Sequence, residues 1–323
     1  MADPSPTPTT TPDPAPPAAR PRPLRRTNAG HHRRKLVDRA AQSILFSSAA
    51  FCIIITIGVV GTLVYESIGF FRNVSLWEFL TGTEWTPLFA DAKFGILPLV
   101  AGTITVTGVA LAVAIPVGTI TAIWLSEYAP ARAREILKPA LELLSAVPTV
   151  VFGYFALLIV TPFLQKFIPE LPGFNMLGPG IVIGIMTIPY VASLGEDAMR
   201  AVPMALREGA YAMGATRLQV AWRVVFPAAL SGISAAYVLT FSRALGETMV
   251  VAIAAGMQPN LTFDPREPAG TITAYIVQVS LGDLPHASIG YQSIFAAGLV
   301  LLLMTLVFNI AGHILRKRYR EVY

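Results

Sequence analysis

Residues 95–125 read GILPLVAGTITVTGVALAVAIPVGTITAIWL, a run without one charged side chain. A helix needs roughly 20 apolar residues to cross the hydrocarbon core of a bilayer, so this run spans with length to spare. Pro116 inside it marks the expected place for a kink, because proline removes a backbone donor and crowds the preceding turn. Working outward, five further stretches satisfy the same requirement, at about 40–65, 140–162, 178–198, 228–257 and 287–314. The fold class that follows is an all-α integral membrane protein of about six transmembrane helices.

Composition supports this reading. The 323 residues are 54% hydrophobic and only 13% charged, with a mean hydropathy of +0.60, whereas soluble domains carry roughly 25% charged residues. The single cysteine, Cys52, lies in an apolar run and reads as a small buried hydrophobe, so a disulfide framework or thiolate metal site is excluded. The four histidines, His31, His32, His286 and His313, form no set with metal-ligand spacing. No cofactor is called for.

The net charge of +5 raises the question of nucleic acid, but its distribution answers differently. With the amino end inside, nineteen of the 24 Lys and Arg fall on the cytoplasmic side and four, Arg72, Lys93, Lys166 and Arg266, on the outside. That split is the positive-inside signature, and it orients both termini to the cytoplasm. No basic groove with interleaved aromatics appears, so nucleic acid is not an expected partner and the lipid bilayer is.

Residues 1–38 read as a disordered, Pro-rich cytoplasmic tail, with nine prolines in the first 30 positions and no apolar periodicity. The twin arginines Arg25-Arg26 and Arg33-Arg34 precede an apolar stretch too long for a signal core, so a retained first membrane helix is expected. Residues 39–323 then form the transmembrane domain. Its outer stretches, 66–93 with Trp77, Trp85 and Phe89 and 258–286 with four prolines, read as connectors, with contact to an external partner as the alternative.

Two places carry chemistry. The inner loop at about 200–227 contains MALREGAYAM, residues 204–213, whose Ala, Leu, Met, Arg and Glu favour a short helix. Gly214 would end it in a left-handed cap or allow a close approach by another backbone, a second short helix would cover 216–224, and Pro227 would open the next span. Glu208 would either pair with a partner's basic residue or cap its own helix. The second place is Arg243 and Glu247, spaced i to i+4 inside an apolar stretch, so that both would lie on one helical face. A charge at the bilayer centre costs roughly 2.5–3.5 kcal/mol even on the lenient scale, so the two must face a bundle interior or an aqueous path. One reading is a structural ion pair; the other is an anion path, since a guanidinium presents a fork of donors to oxyanions.

The loop Glu208-Gly209-Ala210, three residues, Gly214, nine residues, then Val224-x-Phe226-Pro227 resembles the EAA loop of binding-protein-dependent ABC importer permeases. That family's pattern is Glu-Ala-Ala, three residues, Gly, nine residues, Ile-x-Leu-Pro. Gly209 here replaces the first alanine, and Val224 and Phe226 are apolar substitutes. The resemblance implies a type I importer (MetI-like) architecture, in which residues 204–224 dock into an ATP-binding subunit. The string Arg243-Ala244-Leu245-Gly246-Glu247-Thr248-Met249 is similar to the phosphate permeases of the PstC type. So are Phe94–Leu99, Leu125–Pro130 and Ala146–Gly153, and the likeness covers roughly residues 40–320.

From this resemblance the chain would be a multi-pass bacterial cell-membrane subunit of an ATP-driven inorganic phosphate importer, forming half of the translocation pathway. Its partners would be a second, PstA-like permease, a dimer of PstB-like ATP-binding subunits and a PstS-like extracytoplasmic phosphate-binding protein. Arg243 and Glu247 would serve phosphate passage. No Gly-x4-Gly-Lys-Ser/Thr occurs, so ATP hydrolysis would belong to another chain and this one would not be an enzyme. The alternatives are a permease for sulfate, molybdate or phosphonate, and an ion-coupled anion carrier. The carrier leaves the loop spacing unexplained. A membrane-embedded enzyme lacks any clustered nucleophile, base or metal set.

Overall fold

The structure is a computed structural model that describes residues 28–318 other than 88, 90, 283, 284, 286 and 287; for 28–36, 315, 316 and 318 it describes the backbone alone. The chain divides into two compact units, at Gly58 and Val59. Residues 1–27, most of the expected tail, lie outside the described residues. The helix α1 (Asn28–Phe71) begins within the segment read as tail, because the last proline there is Pro23 and the positions that follow are rich in helix-forming Arg, Lys, Leu and Ala.

In the first unit the described residues are the part of α1 up to Gly58. Ile44, Leu45, Phe46, Phe51 and Ile53 on it are exposed, a surface that suits lipid or a partner helix. Cys52 is exposed there too, which corrects the expectation of a buried thiol. Periodicity could not tell burial in protein from burial in lipid, since both reward the same apolar side chains.

The second unit holds the remainder of the fold. It continues with α2 (Leu76–Thr81), α3 (Leu97–Ile123), α4 (Ala131–Ala146), α5 (Thr149–Phe155), α6 (Thr161–Gln165), α7 (Leu177–Arg200), α8 (Met204–Ala212) and α9 (Arg217–Val220). It closes with α10 (Phe226–Ala228), α11 (Leu230–Leu245), α12 (Met249–Ala254), α13 (Ile272–Ser280) and α14 (Ile289–Arg318). Three wider π-helical turns, Trp124–Tyr128, Ala156–Val160 and Ala221–Val225, join successive helices. Among the described residues four helices are long and apolar enough to cross a membrane, or up to six when each of two sharply bent helix pairs counts as one span.

At the centre α3 lies directly on α7. A Cβ at Gly184 would stand 2.7 Å from Val113 Cβ and 2.8 Å from the Ala110 carbonyl oxygen, so only glycine permits this approach. Below and around this contact Val106, Ala110, Met176, Ile183, Met186, Ala244 and Val250 form one core. Toward the outer side Phe70, Phe79, Trp85, Phe94 and Tyr275 make a second, with ring centroids 5.0–6.2 Å apart in edge-to-face pairs. Toward the inner side Ile123, Met199, Val220, Ala221, Val225 and Ile233 form a third, beneath the loop at 204–228.

Three expectations change. The span expected at 140–162 is bent by 87° between α4 and α5, because Val147 before Pro148 is driven to an extended ψ of 132°. α4 is left with no buried residue, and α3 instead runs through Pro116 without a break. The span expected at 228–257 bends by 73° at Ala229 and stops at Leu245, with α12 resuming after Gly246, Glu247 and Thr248. The outer stretch 258–286, read as a connector, contains α13, whose Ile272, Ala274, Tyr275 and Val279 are buried. Thr271 caps it by accepting from the Ala274 amide at 3.2 Å.

Candidate functional site

Arg243 sits in the last turn of α11, and Glu247 lies just past the helix end. The i to i+4 geometry on one continuous helix is therefore corrected, yet the two side chains still meet, with Arg243 Nη1 3.6 Å from Glu247 Oε2. Glycine at 246 weakens the helix, and the Glu247 carbonyl freed by the break accepts from the Thr273 hydroxyl of α13 at 2.7 Å. The pairing distance is an ion contact too long for a hydrogen bond. Glu247 Oε2 is buried and has no hydrogen-bond donor among the described residues. The Arg243 side chain is 39% exposed and that of Glu247 only 3%. The pair thus offers a partly open guanidinium whose charge is held, but not capped, by a buried carboxylate.

The inner loop folds as helix, glycine turn and helix, but the second helix expected over 216–224 is the short α9 continued by the π-helical turn Ala221–Val225. α8 ends at Ala212, and Gly214 takes φ +81°, a left-handed conformation that glycine adopts without steric cost. Thr216 and Gln219 form a reciprocal capping box at the start of α9, the Gln219 side chain accepting from the Thr216 amide at 2.8 Å. Pro227 stands in the first turn of α10. Glu208 and Gly209 are exposed, Ala210 is half-buried, and Gly214 and Pro227 are exposed. Glu208 makes no ion pair with any described residue, so the loop's carboxylate faces outward unspent.

What sequence reading missed is how this loop is fastened. Arg207, counted only as a topology charge, is buried in the chain. Its Nη2 donates to Glu127 Oε1 at 3.0 Å and to the Met199 carbonyl at 2.8 Å, and its Nη1 to the Val202 carbonyl at 2.6 Å. One side chain thereby ties α8 to the turn after α3 and to the end of α7. Beside it Glu196, 1% exposed, faces Lys138 at 2.8 Å, Arg134 at 3.4 Å and Arg200 at 3.5 Å. Lys138 also reaches Asp197 at 2.5 Å. Glu127 carried no spacing signal, because Arg207 is 80 positions away; Glu196 had only the i,i+4 spacing to Arg200, while Arg134 and Lys138 come from another helix.

Residues 114–321 match the family of binding-protein-dependent transport system inner membrane components. The chain belongs to this family. Among curated relatives, the permease is 35% identical over 268 residues to a probable ABC transporter permease, YqgH, of Bacillus subtilis, covering 83% of this chain and 85% of that one. It is 31% identical to the phosphate transport system permease PstC of Mesorhizobium japonicum, covering 84% and 88%. Against PstC 1 of Mycobacterium tuberculosis the identity is 32%, covering 77% and 84%. Among solved structures it resembles an ABC transporter that imports alginate, with a TM-score of 0.60 at 17% identity over 89% of this chain and all of that one. The MetNI methionine transporter matches at a TM-score of 0.52, 17% identity, 70% of this chain and 95% of that one. At such identity the two structures speak for the fold, that of a type I importer permease in the inner membrane. Among the described residues no group of three or more His, Cys, Asp and Glu is placed to hold a metal ion.

Proposed function

We propose that the permease is a membrane-spanning subunit of an ATP-driven importer of inorganic phosphate, with Arg243 and Glu247 on the path and residues 204–224 as the lever. Its relatives named as phosphate permeases support the substrate, and the observation that carries the path is the Arg243 guanidinium. It stands partly open at the end of a helix in the membrane region, 3.6 Å from a buried carboxylate, with donors left over for a phosphate oxygen. Glu247 lowers the cost of the empty state and opposes overly tight capture. A PstA-like permease would complete the path, two PstB-like subunits would drive it by docking at Glu208 to Gly214, and a PstS-like protein would deliver phosphate outside. The chain itself performs no covalent step in this scheme.

Uptake of labelled phosphate into membrane vesicles tests the reading. ATP depletion with an intact proton gradient should stop uptake, and unlabelled sulfate or molybdate in tenfold excess should leave it nearly unchanged. Competition by sulfate or molybdate would transfer the assignment to another oxyanion. Uptake that follows the proton gradient would favour an ion-coupled carrier.

A further inference from the structure

At the inner end of the second unit, α8 and α9 border a cavity of about 420 Å³. Arg134 from α4, Arg200 from the end of α7, Arg207 from α8 and Arg217 from α9 line it, against one carboxylate, Glu127, with Tyr211 alongside. The four guanidiniums are not equally committed. Arg207 is engaged by Glu127 and two carbonyls, and Arg134 by the Leu125 carbonyl and Glu196. Arg200 is 53% exposed and reaches Glu196 only at 3.5 Å. Arg217 is exposed and makes no side-chain hydrogen bond or ion pair among the described residues.

Two arginines with unused donors on a concave polar wall suit a phosphate group, which accepts several charge-assisted hydrogen bonds at once. We propose that this cavity binds a phosphate group at the inner surface, either free inorganic phosphate or the headgroup of an anionic lipid. A bound group bridges α7 and α9 next to the Arg207 fastening and restrains the loop. Its occupancy sets how freely the loop moves. At 100° per residue the exposed small positions Ala205, Gly209 and Ala212 lie on the side of α8 opposite Arg207 and Tyr211. The consequence for transport rests on the coupling-loop reading; the binding itself does not.

The full chain in phosphatidylcholine nanodiscs is the test, read by amide hydrogen exchange over residues 200–220. Inorganic phosphate should slow exchange several-fold relative to chloride at equal ionic strength. R217Q, which breaks no side-chain hydrogen bond or ion pair among the described residues, should weaken that protection and R200Q/R217Q should abolish it, while R243Q should retain it. Phosphatidylglycerol in the disc, without phosphate, should give the same protection if a headgroup is the natural occupant. Protection by neither anion, protection that survives R200Q/R217Q, or protection seen only when an ATP-binding subunit is added would each overturn the site. An importer with normal phosphate uptake and no such protection loses this site alone. Protection in a chain that moves no phosphate counts against the transport reading alone.

Discussion

At the residue scale, two arginines that look alike in the sequence do opposite things. Arg243 was conspicuous because a charge inside an apolar stretch must be explained, and the residue that explains it, Glu247, stands four positions away. Replacing Arg243 by Gln removes a charge-assisted donor worth about 1.5–3 kcal/mol, so phosphate uptake should fall by at least about tenfold. The variant should still assemble with its partner subunits, which co-purification checks; normal uptake would take Arg243 off the path. Arg207 was illegible as anything but a topology charge, since its carboxylate partner is 80 positions away in the chain. Arg207→Gln leaves Glu127 buried without its countercharge and should destabilise the protein by about 3–5 kcal/mol, read as a lower melting temperature in detergent. Pairing it with Glu127→Gln should recover part of that loss, as expected for a directly coupled pair.

At the element scale, the inner loop is the best-read part of the molecule. α8, the glycine turn and the start of α9 obey local rules of propensity and capping that need no distant partner. Gly214→Ala tests this, because φ +81° costs any other residue about 1–2 kcal/mol although no atom lies within 4 Å of the added methyl. The expected result is a less stable loop and less phosphate moved per ATP. Gly209→Ala is the control: it also meets open space, but in a helical conformation, and should leave uptake intact. The bends at Val147 and Ala229 were read less well. Hydropathy registers apolar length and is blind to direction, and Pro148 looked no more disruptive in sequence than Pro116, which the helix absorbs. α13 was hidden by the prolines around it.

At the scale of the whole molecule, the charge asymmetry is the organising property. Inner segments hold nineteen of the 24 basic residues, and the structure gathers several of them, Arg134, Lys138 and Arg200, around the buried Glu196. Topology charges thus double as the clamp under the loop. In a Cys52→Ser background, Gly209→Cys should react with a membrane-impermeant thiol reagent only from the inner side, and Asn260→Cys only from the outer side. Both positions are exposed, so lack of reaction would not be burial in this chain. Reversed labelling would refute the orientation. The exposed apolar surface of α14, including Leu303, Leu306, Val307 and Ile310, suits lipid or a partner helix.

The sequence by itself determined the membrane class, the spans, their orientation, the loop's helix–glycine–helix form and the presence of one charged pair within the apolar runs. All of these depend on residues near one another in the chain or on summed hydropathy and charge. Only the tertiary structure decided that the helix ends between Arg243 and Glu247, that two spans are bent, and that Arg207 and Glu196 lock the inner end. The helix end and the lock depend on which group of another element meets each side chain or freed carbonyl, and the bends on a direction that hydropathy does not carry. Thr273 meeting the freed Glu247 carbonyl is the clearest case, for no spacing in the chain announces it.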